Sequence, residues 1–354
     1  MGGGVSTQFT TLIQQIVNGL SMGSVYALIA VGYSLVYSIL SFSNFAHGGF
    51  LVVGGYICYG LLAGFNITSA TAVPPVGSIW IAGAGALIGA GIVAALTERL
   101  AYKPIRERTS LTLYLLIASM GMSIVIENIF VIVVGGRYRA LPPDAFEGVF
   151  FFLEKYLIRI CSFFGAELRI ENHLLIFGGD AAVNGGVAVS GGAVVSGGVT
   201  VSMFDILSFL VTVVFLGGLQ LFISRTRWGL AIRAAACDLR TAGLMGVNVS
   251  LLIGIVFFTA GLLAAVGGIF LSFRYTLYPQ LGGITIKAFV AAVIGGLGSL
   301  PGAVIGSLVL GLAEMLTAGF ISSQMRDLVV FSMLVLMLLV KPAGFFGKQI
   351  GDKI

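Results

Sequence analysis

Long apolar runs separated by short polar stretches dominate the chain. They fall near residues 11–40, 42–64, 76–98, 111–134, 203–224, 248–272, 302–320 and 325–341. A helix needs about 20 residues to cross the hydrocarbon core, and each run meets or approaches that length. A ninth run, 284–298, is shorter and interrupted by glycine, which makes it marginal as a span by itself. The pattern predicts an all-α polytopic membrane protein with eight to nine transmembrane segments. From Gly2 to Thr97 there is no Asp, Glu, Lys or Arg, yet Asn44-Phe45-Ala46-His47-Gly48-Gly49 lies inside that stretch. A polar pair followed by two glycines does not suit a lipid-facing helix and points to a working site in a broken one.

The loops supply a topology. Arg99, Lys103, Arg106 and Arg108 cluster in one loop, and Arg225, Arg227, Arg233 and Arg240 in another. Lys341, Lys348 and Lys353 mark the tail. Such basic loops face the cytoplasm. Counting back puts the N-terminus outside and the C-terminus in the cytoplasm, in a bacterial-type inner membrane. That arrangement needs an odd number of spans and is met only if 284–298 counts as one. The segment 137–202 then forms an extracytoplasmic loop or insertion. Within it, 178–202 is too rich in Gly and Ser to span. It reads as an exterior loop with short strands, preceded by an amphipathic helix near 150–164, or as an unstructured insertion.

Internal echoes support counting the ninth run. Gly85-Ala86-Leu87-Ile88-Gly89 is echoed by Gly302-Ala303-Val304-Ile305-Gly306, with Glu98 and Glu314 following. Leu51-Val52-Val53-Gly54-Gly55 parallels Ala292-Val293-Ile294-Gly295-Gly296. The paired segments run in opposite directions, the pattern of an inverted-topology repeat with halves 11–134 and 248–341 in a single permease domain, 1–354.

Composition excludes a soluble enzyme. Charged residues are 9% and hydrophobic ones 58%, against roughly 25% charged in soluble domains. Mean hydropathy is +1.07. The 51 glycines sit among Leu, Ile, Val and Ala, where glycine lets membrane helices approach closely. The net charge of +5 forms no basic stripe with interleaved aromatics, so no nucleic-acid partner is expected. Cys58, Cys161, Cys237, His47 and His173 are too scattered for a disulfide framework or a metal centre. The N-terminus lacks the basic region of a cleavable signal, so the first apolar segment is expected to stay. No phosphate-binding G-x-x-x-x-G-K-[ST] loop and no nucleophile–base signature occurs, so the chain reads as a transport subunit with no catalytic residue and no cofactor of its own.

Asn44 and His47 lie three apart and share a face if both are helical. Ser43 or Asn44 is a natural N-cap, and Gly48 and Gly49 permit a bend or a close neighbour. A helix starting inside the membrane aims free N–H groups and a positive dipole end into the cavity, which suits an amino-acid carboxylate or an amide carbonyl. Thr285 falls opposite Asn44 in the repeat. Asn44, His47, Gly48, Gly49 and Thr285 are therefore the candidate substrate-pathway residues, with hydrogen bonding between helices as the plainer alternative. Glu127 and Glu314 are acids in apolar spans with no obvious basic partners; packing or bonding to a neighbouring helix is the preferred reading, and a thin proton relay is the alternative. Arg274 and Lys287 flank outer span ends and read as snorkelling or as contacts to an external partner. The basic segment 225–247 reads as a short cytoplasmic helix along the membrane. Ala234, Ala235, Ala236 and Ala242 would fit a groove, and Gly246 with Asn248 would end the helix; an ordinary interfacial helix fits equally.

Several of these stretches together resemble the permease subunits of branched-chain amino-acid ABC importers, in the subgroup similar to the first of their two permeases. They are Asn44–Gly48, Tyr138-Arg139-Ala140-Leu141-Pro142-Pro143, Arg225-Thr226-Arg227-Trp228-Gly229 through Leu244-Met245-Gly246-Val247-Asn248, and Lys287–Ser299 followed by Pro301-Gly302. The resemblance covers most of the chain. It implies a second homologous permease, two cytoplasmic ATPase subunits that bind ATP, and an extracytoplasmic substrate-binding protein. It also implies a coupling helix, for which Arg233, Asp238, Ala242, Leu244 and Gly246 are the candidates. Related permeases carry urea and short amides, and a secondary carrier not driven by ATP is the rival class. Three departures stand out: Gly49 where the family often has Glu, Arg240-Thr241-Ala242 where it often has Glu-Ala-Ala, and a longer 147–200 region.

Overall fold

A computed structural model describes residues 3–64, 77–108, 111–141, 146, 149–150, 154, 169–171, 174–177 and 199–347. Eight helices in it are long and apolar enough to cross a membrane: Gln8–Leu40, His47–Gly64, Ser78–Arg108, Thr112–Val133, Met203–Arg225, Val249–Tyr275, Leu300–Phe320 and Ser323–Val340. They coincide with the eight long apolar runs. The ninth run is a half-length element, Pro279–Gly295, in which a 3-10 turn, Pro279–Ile284, leads into an eleven-residue α-helix, Thr285–Gly295.

In chain order the helices are α1 (Gly3–Leu40), α2 (His47–Gly64) and α3 (Ser78–Thr97), then α4 (Lys103–Arg108) and α5 (Thr112–Val133). A π-helical turn, Glu98–Tyr102, joins α3 to α4. After them come α6 (Met203–Arg225), α7 (Arg227–Cys237), α8 (Leu239–Leu244), α9 (Val249–Tyr275), α10 (Thr285–Gly295), α11 (Leu300–Phe320) and α12 (Arg326–Val340). The core lies where α1, α2, α9 and α10 meet, around Tyr26, Phe50, Phe257 and Leu281. The apolar window of α1 is 83% buried, whereas those of α5 and the final span are 11% buried. Those two helices form the rim.

Glycines set the spacing of the inner helices. A Cβ on Gly19 would stand 2.8 Å from the Leu312 Cα of α11, one on Gly23 2.9 Å from Leu308 Cα, and one on Gly54 2.6 Å from the Ala265 Cα of α9. Backbones this close gain dispersion contacts that longer side chains would forbid. The echoed glycines behave alike: Gly85 and Gly89 of α3 receive Leu61 and Ile57 of α2, and Gly302 and Gly306 of α11 lie on Gly295 and Ala291 of α10.

Arg274 and Lys287 are paired rather than snorkelling. Arg274, at the end of α9, lies 3.0 Å from Asp205 of α6, and Ser21 of α1 donates to the same carboxylate at 2.6 Å. Lys287 of α10 bonds Glu314 of α11 at 2.8 Å and Asp327 of α12 at 2.7 Å. Tyr26 of α1 donates to the other Glu314 oxygen at 2.9 Å. Glu314 therefore has a basic partner, and Arg274 and Lys287 are internal clasps. The expectation of snorkelling cations fails, and Glu314 gains the helix bonding preferred for it, because packing brings together residues far apart in the chain; Glu127 accepts from Ser123 of its own helix.

Three short strands, β1 (Arg169–Glu171), β2 (Leu174–Phe177) and β3 (Val199–Ser202), form an antiparallel sheet in that order. Gln14 of α1 bonds Thr200 of β3 through both edges of its amide, donating to the carbonyl at 2.7 Å and accepting from the N–H at 2.8 Å. The side chain takes the place of a neighbouring strand and satisfies a sheet edge. Most of the expected helix near 150–164 and residues 178–198 lie outside the described residues. Arg139, from the Tyr138–Pro143 motif, pairs through its backbone with Leu277. Its guanidinium donates to the Val134 carbonyl at 2.7 Å and the Tyr59 hydroxyl at 3.2 Å. It staples the ends of α2 and α5 to the segment leading into the half-length element.

Candidate functional site

The break between α1 and α2 is built by Asn44. Its carbonyl accepts from the His47 N–H at 3.2 Å, and its side-chain Oδ1 accepts from the Ala46 N–H at 3.2 Å. The same Oδ1 receives the Tyr102 hydroxyl at 2.8 Å. Beside it, the Phe45 N–H donates to Ser119 Oγ of α5 at 3.1 Å. A short polar side chain that bonds its own backbone two residues on fixes a turn. Asn44 therefore sits in the turn before α2, which starts at His47. Asn44 and His47 do not share a helix face, because the chain is not yet helical at Asn44.

Phe50 N–H bonds the Ala46 carbonyl, and the remaining first-turn donors belong to Gly48 and Gly49. Gly48 faces the half-length element. A Cβ on it would stand 2.8 Å from the Gly282 carbonyl oxygen and 2.9 Å from Thr285 Oγ1. Thr285 opens α10, donates to the Gly282 carbonyl at 2.6 Å and lies 3.3 Å from the Tyr33 hydroxyl of α1. The N-terminal ends of two helices, α2 and α10, thus converge on one point. A helix N-terminus carries the positive end of its dipole, which favours anionic or carbonyl oxygens, although the 3-10 turn Pro279–Ile284 runs into α10 and the Thr285 N–H bonds within it.

His47 is fully buried. Its ring occupies the space that Gly32 of α1 leaves open, lies 4.7 Å from the Tyr33 ring and adjoins the Ile29 backbone. Neither ring nitrogen makes a hydrogen bond of good geometry, and Asn44 Nδ2 lacks a partner as well. Buried polar atoms left unbonded cost free energy, and in native proteins they mark strain, an unseen ligand or a moving part. Gly49 packs on Ile126 of α5. Glu127 takes the Ser123 hydroxyl at 3.2 Å and borders Gly282.

All five pathway candidates are buried, and Asn44, His47, Gly48 and Gly49 form one continuous turn that meets Thr285 through Gly48. Tyr102, Ser119, Gly32 and Gly282 also build the site and were not anticipated. Tyr102 sits among the basic residues of 98–108 and reads there as an interfacial aromatic. The glycines are indistinguishable in sequence from the other packing glycines.

The 225–247 segment forms two helices instead of one. Thr226 caps α7 by accepting from the Gly229 N–H at 3.0 Å. Asp238, in extended conformation, ends α7 and caps α8, accepting from the N–H groups of Arg240 and Thr241 at 2.9 and 3.2 Å. Gly246 has φ +90°, the left-handed region that favours glycine, and turns the chain after α8. Asn248 caps the next helix, accepting from the Leu251 N–H at 3.1 Å, so it begins α9 rather than ending this segment. Ala235 and Ala242 are buried and face the protein's own spans, which removes them from a docking face. Arg233 is exposed, and Leu244 and Met245 are 82% and 81% exposed. Met245 is a further outward-facing residue that composition gave no reason to select.

Residues 15–338 match the family model described as the branched-chain amino acid transport system permease component. The chain is 34% identical to the high-affinity branched-chain amino acid transport system permease protein LivH of Salmonella typhimurium, over 99% of this chain and all of that protein. It is 33% identical to LivH of Escherichia coli K12 with the same coverage. To BraD of Pseudomonas aeruginosa, a permease of the same description, it is 35% identical over 97% of this chain and 98% of that one. No solved structure matches the chain.

Proposed function

The chain belongs to the family of branched-chain amino acid transport system permease components, and from that footing we propose that it forms part of the path by which branched-chain or similar amino acids enter the cell. In this reading it pairs with a second homologous permease in the inner membrane, its N-terminus outside and its C-terminus in the cytoplasm. Two cytoplasmic ATPase subunits supply the energy and an extracytoplasmic binding protein delivers the substrate.

The observation that carries the reading is the convergence of α2 and α10 at Gly48, Gly282 and Thr285. An amino acid presents a carboxylate, and paired helix N-termini offer N–H donors and positive potential for it without adding a charged side chain to the membrane. In this reading the Asn44–Gly49 turn and the half-length α10 are the elements that move, since neither is itself a full span. Closure of the ATPases would reach them through α7 and α8, with Arg233, Asp238, Leu244, Met245 and Gly246 as the docking and shaping residues. The two helices of that segment, and its exposed Leu244-Met245 tip, support this role. Tilting of the permease pair would then open the turn to one side of the membrane at a time.

The test is uptake into proteoliposomes holding the chain with its co-encoded permease, ATPases and binding protein. Leucine, isoleucine or valine should accumulate only with ATP on the side of the basic loops, and a proton ionophore should leave the rate unchanged. Accumulation driven by a proton gradient without ATP would overturn the ATP-driven reading. Transport of urea or acetamide in place of the branched-chain amino acids would overturn the substrate.

A further inference from the structure

We propose that the exposed face of α5, centred on Gly121 and Asn128, is where a second permease chain packs. This deepens the importer reading above and rests on it for the partner's identity.

Both α5 and the final span leave most of their surface uncovered, but the two surfaces differ in chemistry. The outer face of α12 presents Leu328, Phe331, Val335, Leu336 and Leu339, with Ser332 as the polar exception. A serine hydroxyl can bond back to its own helix and costs little in lipid. The face of α5 presents Asn128, exposed, whose Nδ2 donates to the Ile124 carbonyl at 2.8 Å. Ile129 through Val133 continue the helix beyond it, so about 7 Å of apolar helix separates the amide from the outer end. An amide at that depth is costly against hydrocarbon, and in membrane proteins such residues turn toward a neighbouring helix and bond across it.

Gly121 lies seven residues earlier, two turns down the same face. A Cβ there would meet nothing among the described residues within 4 Å. Unlike Gly19, Gly23 and Gly54, it admits no other helix among the described residues. A small residue and a hydrogen-bonding residue two turns apart, at the centre of an open apolar face, is the chemistry of a helix–helix contact in lipid. Ile117 and Tyr114, one and two turns nearer the other end, border a groove of about 500 Å³ shared with Ile105 and Arg108 of α4. The open face therefore continues down to the basic loop.

Continuity with the site selects the occupant. The same helix bonds Phe45 through Ser119, packs Ile126 on Gly49 and places Glu127 beside Gly282. Glu127 stands at the edge between that turn and the open face, only half-buried. A helix laid over Gly121 and Asn128 would close this side of the site and enclose the carboxyl group. A second permease seated there would put the two chains' broken helices on either side of one shared path. α6 also carries open small residues, Gly217 and Gly218, with an exposed Gln220. Gln220 lies five residues from its helix end, as Asn128 does, but α6 makes none of these contacts with the site.

A photoactivatable benzoylphenylalanine placed at Ile124 in the co-expressed complex tests this without weakening the fold. Irradiation should join the chain to the second permease, and the same probe at Leu336 of α12 or Leu221 of α6 should not. In parallel, Gly121→Leu should lower the second permease recovered with the chain about tenfold, while Gly217→Leu leaves it unchanged. Cross-links to that permease from α6 or α12 in place of α5, or none from α5, would overturn the proposal. ATP-driven uptake measured on the same preparation separates the two claims. Uptake without an α5 cross-link removes this interface alone, and an α5 cross-link between two permeases that lack ATP-driven uptake removes the importer reading alone.

Discussion

Lys287 Nζ lies 2.8 Å from Glu314 Oε1 and 2.7 Å from Asp327 Oδ1, and so ties the half-length α10 to both helices that follow it. The Glu314 side chain is 1% exposed, that of Lys287 20% and that of Asp327 67%. Removing one partner of a buried pair leaves the other charge uncompensated, at a cost of about 3–5 kcal/mol, whereas replacing both with apolar groups costs far less. Lys287→Met is therefore expected to lower the melting temperature of the detergent-purified protein sharply. The double variant Lys287→Met/Glu314→Leu should recover much of the loss. A double variant less stable than the single one would show that the pair is not the unit at work.

Gly48 is the contact point of α2 with Gly282 and Thr285. Gly48→Val would force a branched side chain against a backbone carbonyl, and overpacking of this kind costs about 1–3 kcal/mol. Uptake should fall at least tenfold while the protein still reaches the membrane. Gly60→Ala, at a position with open space around the Cβ, should leave uptake unchanged. Equal uptake in the Gly48 and Gly60 variants would remove the α2–α10 contact from the path.

His47 and Gly32 form one packing unit, since a Cβ on Gly32 would stand 2.5 Å from His47 Cε1. His47→Ala should alter uptake kinetics across a panel of amino acids without changing assembly. Gly32→Ala, which displaces the ring, should produce the same change. The double variant should be no worse than either single one, because contacting residues are non-additive by about 0.5–3 kcal/mol. Additive effects, or unaltered kinetics in His47→Ala, would mean that the ring has no part in transport.

Asp238 and Gly246 shape the α7–α8 pair. Asp238→Ala removes the cap of α8, worth about 1 kcal/mol, and Gly246→Val puts a branched residue where φ is +90°. Each should uncouple ATP hydrolysis from uptake while leaving the chain in the membrane, and Leu244→Asp should do so by weakening docking. Coupled transport at the unaltered rate in the Asp238→Ala/Gly246→Val double variant would show that coupling runs elsewhere.

The class of the protein and the positions of its spans were legible in the sequence because a bilayer reads local composition. A span must be apolar for about 20 consecutive residues, and that requirement prints eight runs on the chain wherever the helices later pack. The turn at Asn44–Gly49 was legible for the same reason, as polar residues and glycines inside an uncharged stretch. Apart from the repeat that set Thr285 opposite Asn44, the sequence left the relationships between distant segments open. Lys287 and Glu314 read as a snorkelling cation and a lone acid because nothing local pairs α10 with α11. Asn44 read as an N-cap or a helical residue, and its bond to Tyr102 was not legible because it exists only once the turn after α3 has folded back beside it. Gly48, Gly121 and Gly60 look alike along the chain, and only tertiary packing separates a glycine pressed against Gly282 from one left open toward a partner. Apolar surface is a property of each residue, whereas close approach and charge pairing belong to two segments at once.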